Sequence, residues 1–219
     1  MAKQVRSEIT RAAIIRGAAE AFDRFGYGGT SLSDVIALAG VTKGALYFHF
    51  SSKQELAQAV IQRQHAWSVG PAQEQLDGDA PGLEAVIHLS QRLASQLVHD
   101  PVVRAGVRLT LETGTFDTAM PDPYQEWIDA TTGLLHRAVE AGDLRQGVQP
   151  ATLARFVVGA FTGVQVLSQV LTGREDLRER VEEMWALLLP GLVPEPRLPH
   201  FQRLARTGLA AEETLRAQA

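Results

Sequence analysis

Apolar positions along this chain return at helical rather than strand intervals, and glycine or proline marks nearly every joint. In SEITRAAIIRGAAEAFDRFG, the residues Ile9, Ala13, Ala18, Phe22 and Phe25 recur every three to five positions, predicting a first helix that stops at Gly26. TSLSDVIALAG predicts a short second helix, with Ser31 as N-cap, Asp34 completing a capping box and Gly40 as the stop. Thr42 caps a third helix of about two turns. SSKQE opens a fourth, in which Ser52 caps and Glu55 reaches back, and which runs towards Trp67. Beyond the break VGPAQEQLDGDAPG, helical patterns cover roughly residues 83–99, 102–111, 124–141, 151–171 and 177–189. A last one, 201–216, follows the stiff stretch LVPEPRLPH and either packs on the body or projects from it. With no strand pattern, internal repeat or low-complexity tract, the predicted class is all-α.

Two short helices joined at Gly40 have the spacing of a helix-turn-helix, 32–39 followed by 43–48, whose second helix can enter the major groove of DNA. Lys43 and Tyr47 lie four apart and share a face, whereas Leu46 and Phe50 face elsewhere and can anchor the helix inwards. Gly44 would let the backbone approach a phosphate or base edge closely. Lys43 brings charge and donors, and Tyr47 a hydroxyl and a ring suited to a thymine methyl or a sugar. Phe48 and Phe50 are read as core residues. Lys53 is either a solvated lysine at a helix start or a phosphate contact beside Ser51 and Ser52. The same spacing also occurs in ordinary all-α cores.

Composition adds a partition of charge. The 219 residues carry a net charge of −4, yet residues 1–63 hold eight basic against five acidic side chains, a net of +3, which leaves −7 for the rest. A small basic lobe on an acidic body can present a local positive face to phosphates. There is no cysteine, which excludes disulfides, thiolate clusters and a cysteine nucleophile. The N-terminal MAKQVRSEIT has no apolar signal core, and no segment approaches about 20 uninterrupted apolar residues, so a cytoplasmic protein without a membrane partner is expected. The six histidines are scattered, with no HExxH, GxSxG, phosphate loop or dinucleotide fingerprint, so neither catalysis nor a metal or cofactor is expected.

In the later helices, Trp127, Ile128, Thr131, Leu134, Leu135 and Ala138 fall on one broad face. Either Trp127 is core and Thr131 bonds back to its own helix, or the two line an apolar pocket with few polar groups. The stretch 151–171 is apolar nearly all round and must be covered on all sides, by a deep core within the chain or by pairing with 177–189 and their symmetry mates across a twofold axis.

The run from Thr10 to Leu56, which includes GYGGTSLSDVIALAGVTKGALYFHFSSKQEL, strongly resembles the DNA-binding domain of the TetR family of bacterial transcriptional repressors. The resemblance implies an all-helical homodimer with a DNA-binding lobe over residues 1–55 and a ligand-binding and dimerisation body over 56–219. On matching positions it implies operator contacts from Thr42, Lys43, Gly44, Tyr47 and His49, with Lys53 and the turn Thr30, Ser31, Ser33 on phosphates. PVVRAGVRLTLE and the tryptophan of PDPYQEWIDA further resemble the γ-butyrolactone receptor subfamily of Streptomyces-type actinomycetes, which implies a repressor of antibiotic production released by a small diffusible autoregulator, a γ-butyrolactone, butenolide or related furan, bound beside Trp127. Gln64, Thr131 and Thr162 are further candidates for its polar head. A pseudo-receptor of the same fold answering to antibiotics is the alternative.

Overall fold

A computed structural model describes residues 2–77, 81–112 and 123–206. They form α1 (Ala2–Gly29), α2 (Leu32–Ala39), α3 (Lys43–His49), α4 (Lys53–Asp77), α5 (Gly82–His99), α6 (Pro101–Leu111), α7 (Pro123–Glu140), α8 (Pro150–Thr172) and α9 (Leu177–Leu192). A further short helix, α10, covers residues 198–206, and no strand occurs among the described residues. The chain divides into two packing units, one built from α1–α3, α4 as far as Trp67, and α6, the other from α5 and α7–α10. This division differs from a cut at residue 55, because α6 and the first turns of α4 pack with the N-terminal helices.

The first unit is organised by α1. Ile14, Ile15, Ala18, Phe22, Val35, Leu46, Phe50, Leu56, Val60 and Leu109 share one apolar core drawn from α1, α2, α3, α4 and α6. Fully burying side chains of this size contributes about 1.5–3 kcal/mol each. Of the residues whose spacing predicts this helix, Ala18 and Phe22 are buried whereas Ile9 and Phe25 are exposed, and Ile14, Ile15, Ala19 and Ala21 complete the buried face. Gly26 breaks the helix as expected, at φ 70° and ψ 176°, a left-handed φ suited to glycine. A β-carbon there would also meet Arg108 Nη2 at 2.6 Å.

That arginine belongs to a polar clamp between α6 and the end of α1. Arg104 Nε lies 2.6 Å from Asp23 Oδ2, Arg108 Nη1 donates to the Asp23 carbonyl at 2.7 Å, and Arg108 Nε pairs with Glu112 at 2.9 Å. Glu112 Oε2 in turn accepts the Tyr27 N–H at 3.0 Å, just past the break. α4 does not stop near Trp67 but continues through Gly70 and Pro71 to Asp77.

In the second unit, α7 packs on α8 and α8 on α9. Trp185 of α9 is fully buried and donates its indole N–H to Ser90 Oγ of α5 at 2.8 Å. α9 runs through Pro190, and Arg145 satisfies its last carbonyls, its N–H donating to Leu192 at 2.7 Å and its Nε to Val193 at 3.1 Å. At the α8–α9 corner, Asp176 accepts from Ser168 (2.6 Å), Thr172 (2.8 Å) and Arg180 (2.8 Å). These bonds, the one from Ser168 first, hold its carboxyl down at about 2. α10 packs on this unit rather than projecting, with Phe201 buried and the Ala205 carbonyl accepting from Gln91 Nε2 at 2.8 Å. The expected helix beyond residue 206 lies outside the described residues.

Candidate nucleic-acid interface

The sequence dictates the local geometry of α2 and α3 closely. Ser31 caps α2, its hydroxyl oxygen accepting the Asp34 N–H at 3.2 Å, while Asp34 Oδ2 accepts from the Ser31 N–H at 2.9 Å and hydroxyl at 2.6 Å. The same bonds from Ser31 hold the Asp34 carboxyl below its ordinary range. Gly40 ends α2 in the left-handed region at φ 62°. Thr42 caps α3, accepting the Ala45 N–H at 3.2 Å.

α3 then sorts its side chains by face. Leu46 and Phe50 are buried in the core of the first unit, whereas Lys43 and Tyr47 point outwards together, with Lys43 Nζ 5.9 Å from the Tyr47 ring centroid. Tyr47 is 48% exposed. Phe48, expected in the core, is instead 79% exposed, its ring edge-on to His49 at 5.0 Å. An apolar ring so displayed on a short helix beside a lysine is available to a partner. A β-carbon on Gly44 would meet nothing within 4 Å, so nothing inside the chain requires glycine there.

The expected phosphate contacts divide. Ser31 and Ser33 are exposed around the start of α2; of the other expected operator contacts, Thr42 is exposed before α3 and His49 is half-buried at its end. Thr30 corrects the expectation: it is 3% exposed, and its hydroxyl is turned inwards to the carbonyls of Gly26 at 2.7 Å and Ala21 at 3.1 Å, so it holds the turn instead of facing outwards. Lys53 is half-buried, with Nζ donating to the carbonyls of Tyr27 at 2.8 Å and Thr30 at 3.0 Å and lying 4.4 Å from the Tyr27 ring centroid. It ties the first turn of α4 to the segment that leads into α2. Glu55 reaches back as expected, but to the N–H and hydroxyl of Ser51 at 2.7 and 2.8 Å, while its own N–H donates to Ser52 Oγ at 3.1 Å.

Of the proposed ligand residues, Trp127 and Thr131 stand one turn apart on α7 and are half-buried. The Trp127 indole N–H is enclosed with no acceptor among the described residues. Thr132, not Thr131, bonds back to its helix, donating to the Ile128 carbonyl at 2.7 Å. On α8, the Thr162 hydroxyl donates to the Val158 carbonyl at 2.8 Å, the arrangement that needs no ligand. Gln64 lies in the first unit, 2% exposed, packed so closely on Gly106 that a β-carbon there would stand 2.3 Å from its own.

Residues 14–60 match the family described as bacterial regulatory proteins, tetR family, and residues 80–194 match the tetracyclin repressor-like C-terminal domain. The A-factor receptor protein of Streptomyces griseus is 36% identical over 218 residues, covering 100% of this chain and 76% of that protein. A crystal structure of a gamma-butyrolactone receptor, an ArpA-like protein, is 38% identical over 94% of this chain and 99% of its own, with a TM-score of 0.82. The TetR family protein CprB from Streptomyces coelicolor, in complex with its biological operator sequence, is 37% identical over 93% of this chain and 98% of its own, also with a TM-score of 0.82. These relatives match through both units at once, and the chain belongs to the tetR family of bacterial regulatory proteins.

Proposed function

We propose that this chain is a homodimeric, cytoplasmic repressor that binds palindromic operator DNA through α3 and is released by a small γ-butyrolactone-type autoregulator, with antibiotic or other secondary metabolism under its control. The observation that carries the DNA half is the split of α3, anchored by Leu46 and Phe50 while Lys43, Gly44, Tyr47 and Phe48 face outwards. Lys43 supplies donors to guanine or phosphate, Tyr47 and Phe48 supply rings to thymine methyls, and Gly44 leaves room for the DNA backbone. Thr42 and His49 add contacts from either end of α3, Ser31 and Ser33 meet the phosphates, and Lys53 contributes by fixing the Tyr27–Thr30 turn, with one further N–H to spare. The first packing unit, α1–α3 with α4 as far as Trp67 and α6, forms the reading lobe, and the second forms the sensing and dimerising body.

The ligand half rests on kinship with the A-factor receptor and on Trp127. An enclosed N–H without an acceptor costs about 1–3 kcal/mol, which a lactone or furan oxygen would offset. Thr131, one turn on, offers a second polar point on an otherwise apolar face.

A second copy of the chain is supported by α8 and α9. Phe156, Leu167, Val170 and Leu171 of α8 and Leu187 of α9, the last 82% exposed, form an apolar surface that is left exposed among the described residues. α8 is long and apolar enough by composition to cross a membrane, but its other face is buried through Leu153, Val157 and Phe161, as in a core helix that meets a symmetry mate. Twofold pairing sets two α3 helices at successive major grooves, about 34 Å apart. Signal that fits best when α4 swings from that spacing shifts the population away from DNA, and by reciprocity operator DNA weakens signal binding by the same factor.

The test is operator-fragment binding by purified protein, followed by titration with synthetic γ-butyrolactones and butenolides. Release of the wild type, with a Trp127→Ala variant that still binds DNA but is not released, is the expected result. Tight operator binding that no lactone, butenolide or furan disturbs would leave the repressor and assign the body to antibiotic ligands instead.

A further inference from the structure

The first unit contains a pocket of about 210 Å³, away from α3, among residues of α1, α4 and α6. Ile15 and Val102 form apolar wall, Trp67 offers an aromatic face, and Arg16, Arg63 and Asp100 supply charge. Neither Arg16 nor Arg63 makes an ion pair among the described residues. Arg63 instead stands over the Trp67 ring, its guanidinium carbon 4.9 Å from the centroid. The Asp100 carboxylate is already used, since Oδ1 accepts the Val102 N–H at 2.8 Å as the N-cap of α6.

Two guanidiniums against one carboxylate leave the lining with a formal excess of one positive charge beside an apolar wall. Arginines without an ion pair next to an aromatic surface fit a planar anion better than a neutral ligand, because the fork of a guanidinium binds a carboxylate through two parallel N–H donors. The volume is below the roughly 300–1,000 Å³ of drug-sized sites, which limits the occupant to a small molecule. We propose that this pocket binds a small organic monoanion with a flat apolar body, an aromatic carboxylate in chemical class, its ring against Trp67, Ile15 and Val102 and its carboxylate on Arg16 and Arg63. Its lining residues belong to the first unit and Trp127 to the second, and the proposal holds whether or not the autoregulator reading does.

The probe is 1-naphthoate, titrated calorimetrically into the full-length protein, with 1-naphthalenemethanol as the uncharged counterpart. Both arginines are exposed, so Arg16→Ala and Arg63→Ala are expected to fold, which circular dichroism checks. The expected result is saturable binding at one site per chain, weakened about tenfold or more in the double arginine variant and weakened similarly when the carboxylate is replaced by the alcohol. Trp127→Ala should leave it unchanged. Equal binding by wild type and the double variant, loss on Trp127→Ala alone, or no binding at millimolar naphthoate would each overturn the proposal. So would finding that the arginine variants change only the salt dependence of operator binding, which would make them phosphate contacts.

Discussion

Arg104 Nε and Asp23 Oδ2 stand 2.6 Å apart, joining the second turn of α6 to α1 three residues before Gly26 breaks it. Both side chains are about a quarter exposed, so the pair is worth more than a surface ion pair and less than a buried one. A double-mutant cycle with Arg104→Ala and Asp23→Ala, read by urea denaturation, is expected to give a coupling of about 1 kcal/mol. Because the same clamp reaches the Tyr27 N–H through Glu112, Arg104→Ala should also blunt release of operator by ligand more than operator binding itself. A variant that loses both in proportion would show the clamp to be structural only.

On the reading face, stability and function should separate. Gly44→Ala is expected to fold at least as well as wild type, gaining at most about 1 kcal/mol from helix propensity, while losing operator affinity. Thermal denaturation and fluorescence anisotropy on the same sample decide this. Unchanged operator affinity would remove the close backbone approach.

Lys43→Ala and Tyr47→Ala should each cost about 1–3 kcal/mol of operator affinity without moving the melting temperature. Phe48→Ala should cost affinity chiefly on operators with thymine at one position, because its loss removes a methyl contact but no charge. A systematic base-substitution series on the operator reads this out.

Much of this lobe was legible because its determinants are local. Capping at Ser31 and Thr42 and the stop at Gly40 involve residues within one turn of each other, and the structure forms all three. Which face of α1 is buried was not legible, since α1 is apolar on more than one side and the partner that selects Ile14 and Ile15 over Ile9 and Phe25 includes α6, some 85 residues away in sequence. Phe48 was misassigned for a different reason. Hydrophobic patterning predicts what a chain buries within itself, and Phe48 is placed where the chain buries nothing. The inward turn of Thr30 depends on the kink at Gly26, which directs that carbonyl at its hydroxyl.

Trp127→Phe keeps the ring and removes the unpartnered N–H. It should retain operator affinity and bind a γ-butyrolactone about tenfold to a hundredfold less tightly, the loss of one enclosed hydrogen bond. Tighter lactone binding by the variant would place the polar head elsewhere.

Val170→Glu and Leu187→Glu set charges on the apolar surface of α8 and α9, where the side chains are largely exposed in the single chain. Sedimentation should show a monomer in place of a dimer, with operator affinity falling along with it. A variant that stays dimeric would put the twofold axis on another face.

Asp176 titrates in acid. Its carboxyl is held at about 2 in the folded protein, below the unfolded value of 3.8, so the stability it contributes is present above pH 3.8 and is lost as pH falls towards 2. Acid titration followed by circular dichroism should show this loss in wild type, and Asp176→Asn should be less stable at neutral pH but flatter through that window.

The packing of α6 against α1 has a consequence for anyone building hybrid regulators. A transplant of the reading helices cut at residue 55, or even at Trp67, would arrive without Val102, Ala105 and Leu109 and would expose the core they close. The transferable module is discontinuous, α1 through the first part of α4 together with α6, and an operator specificity moved between scaffolds has to carry both pieces or redesign the seam.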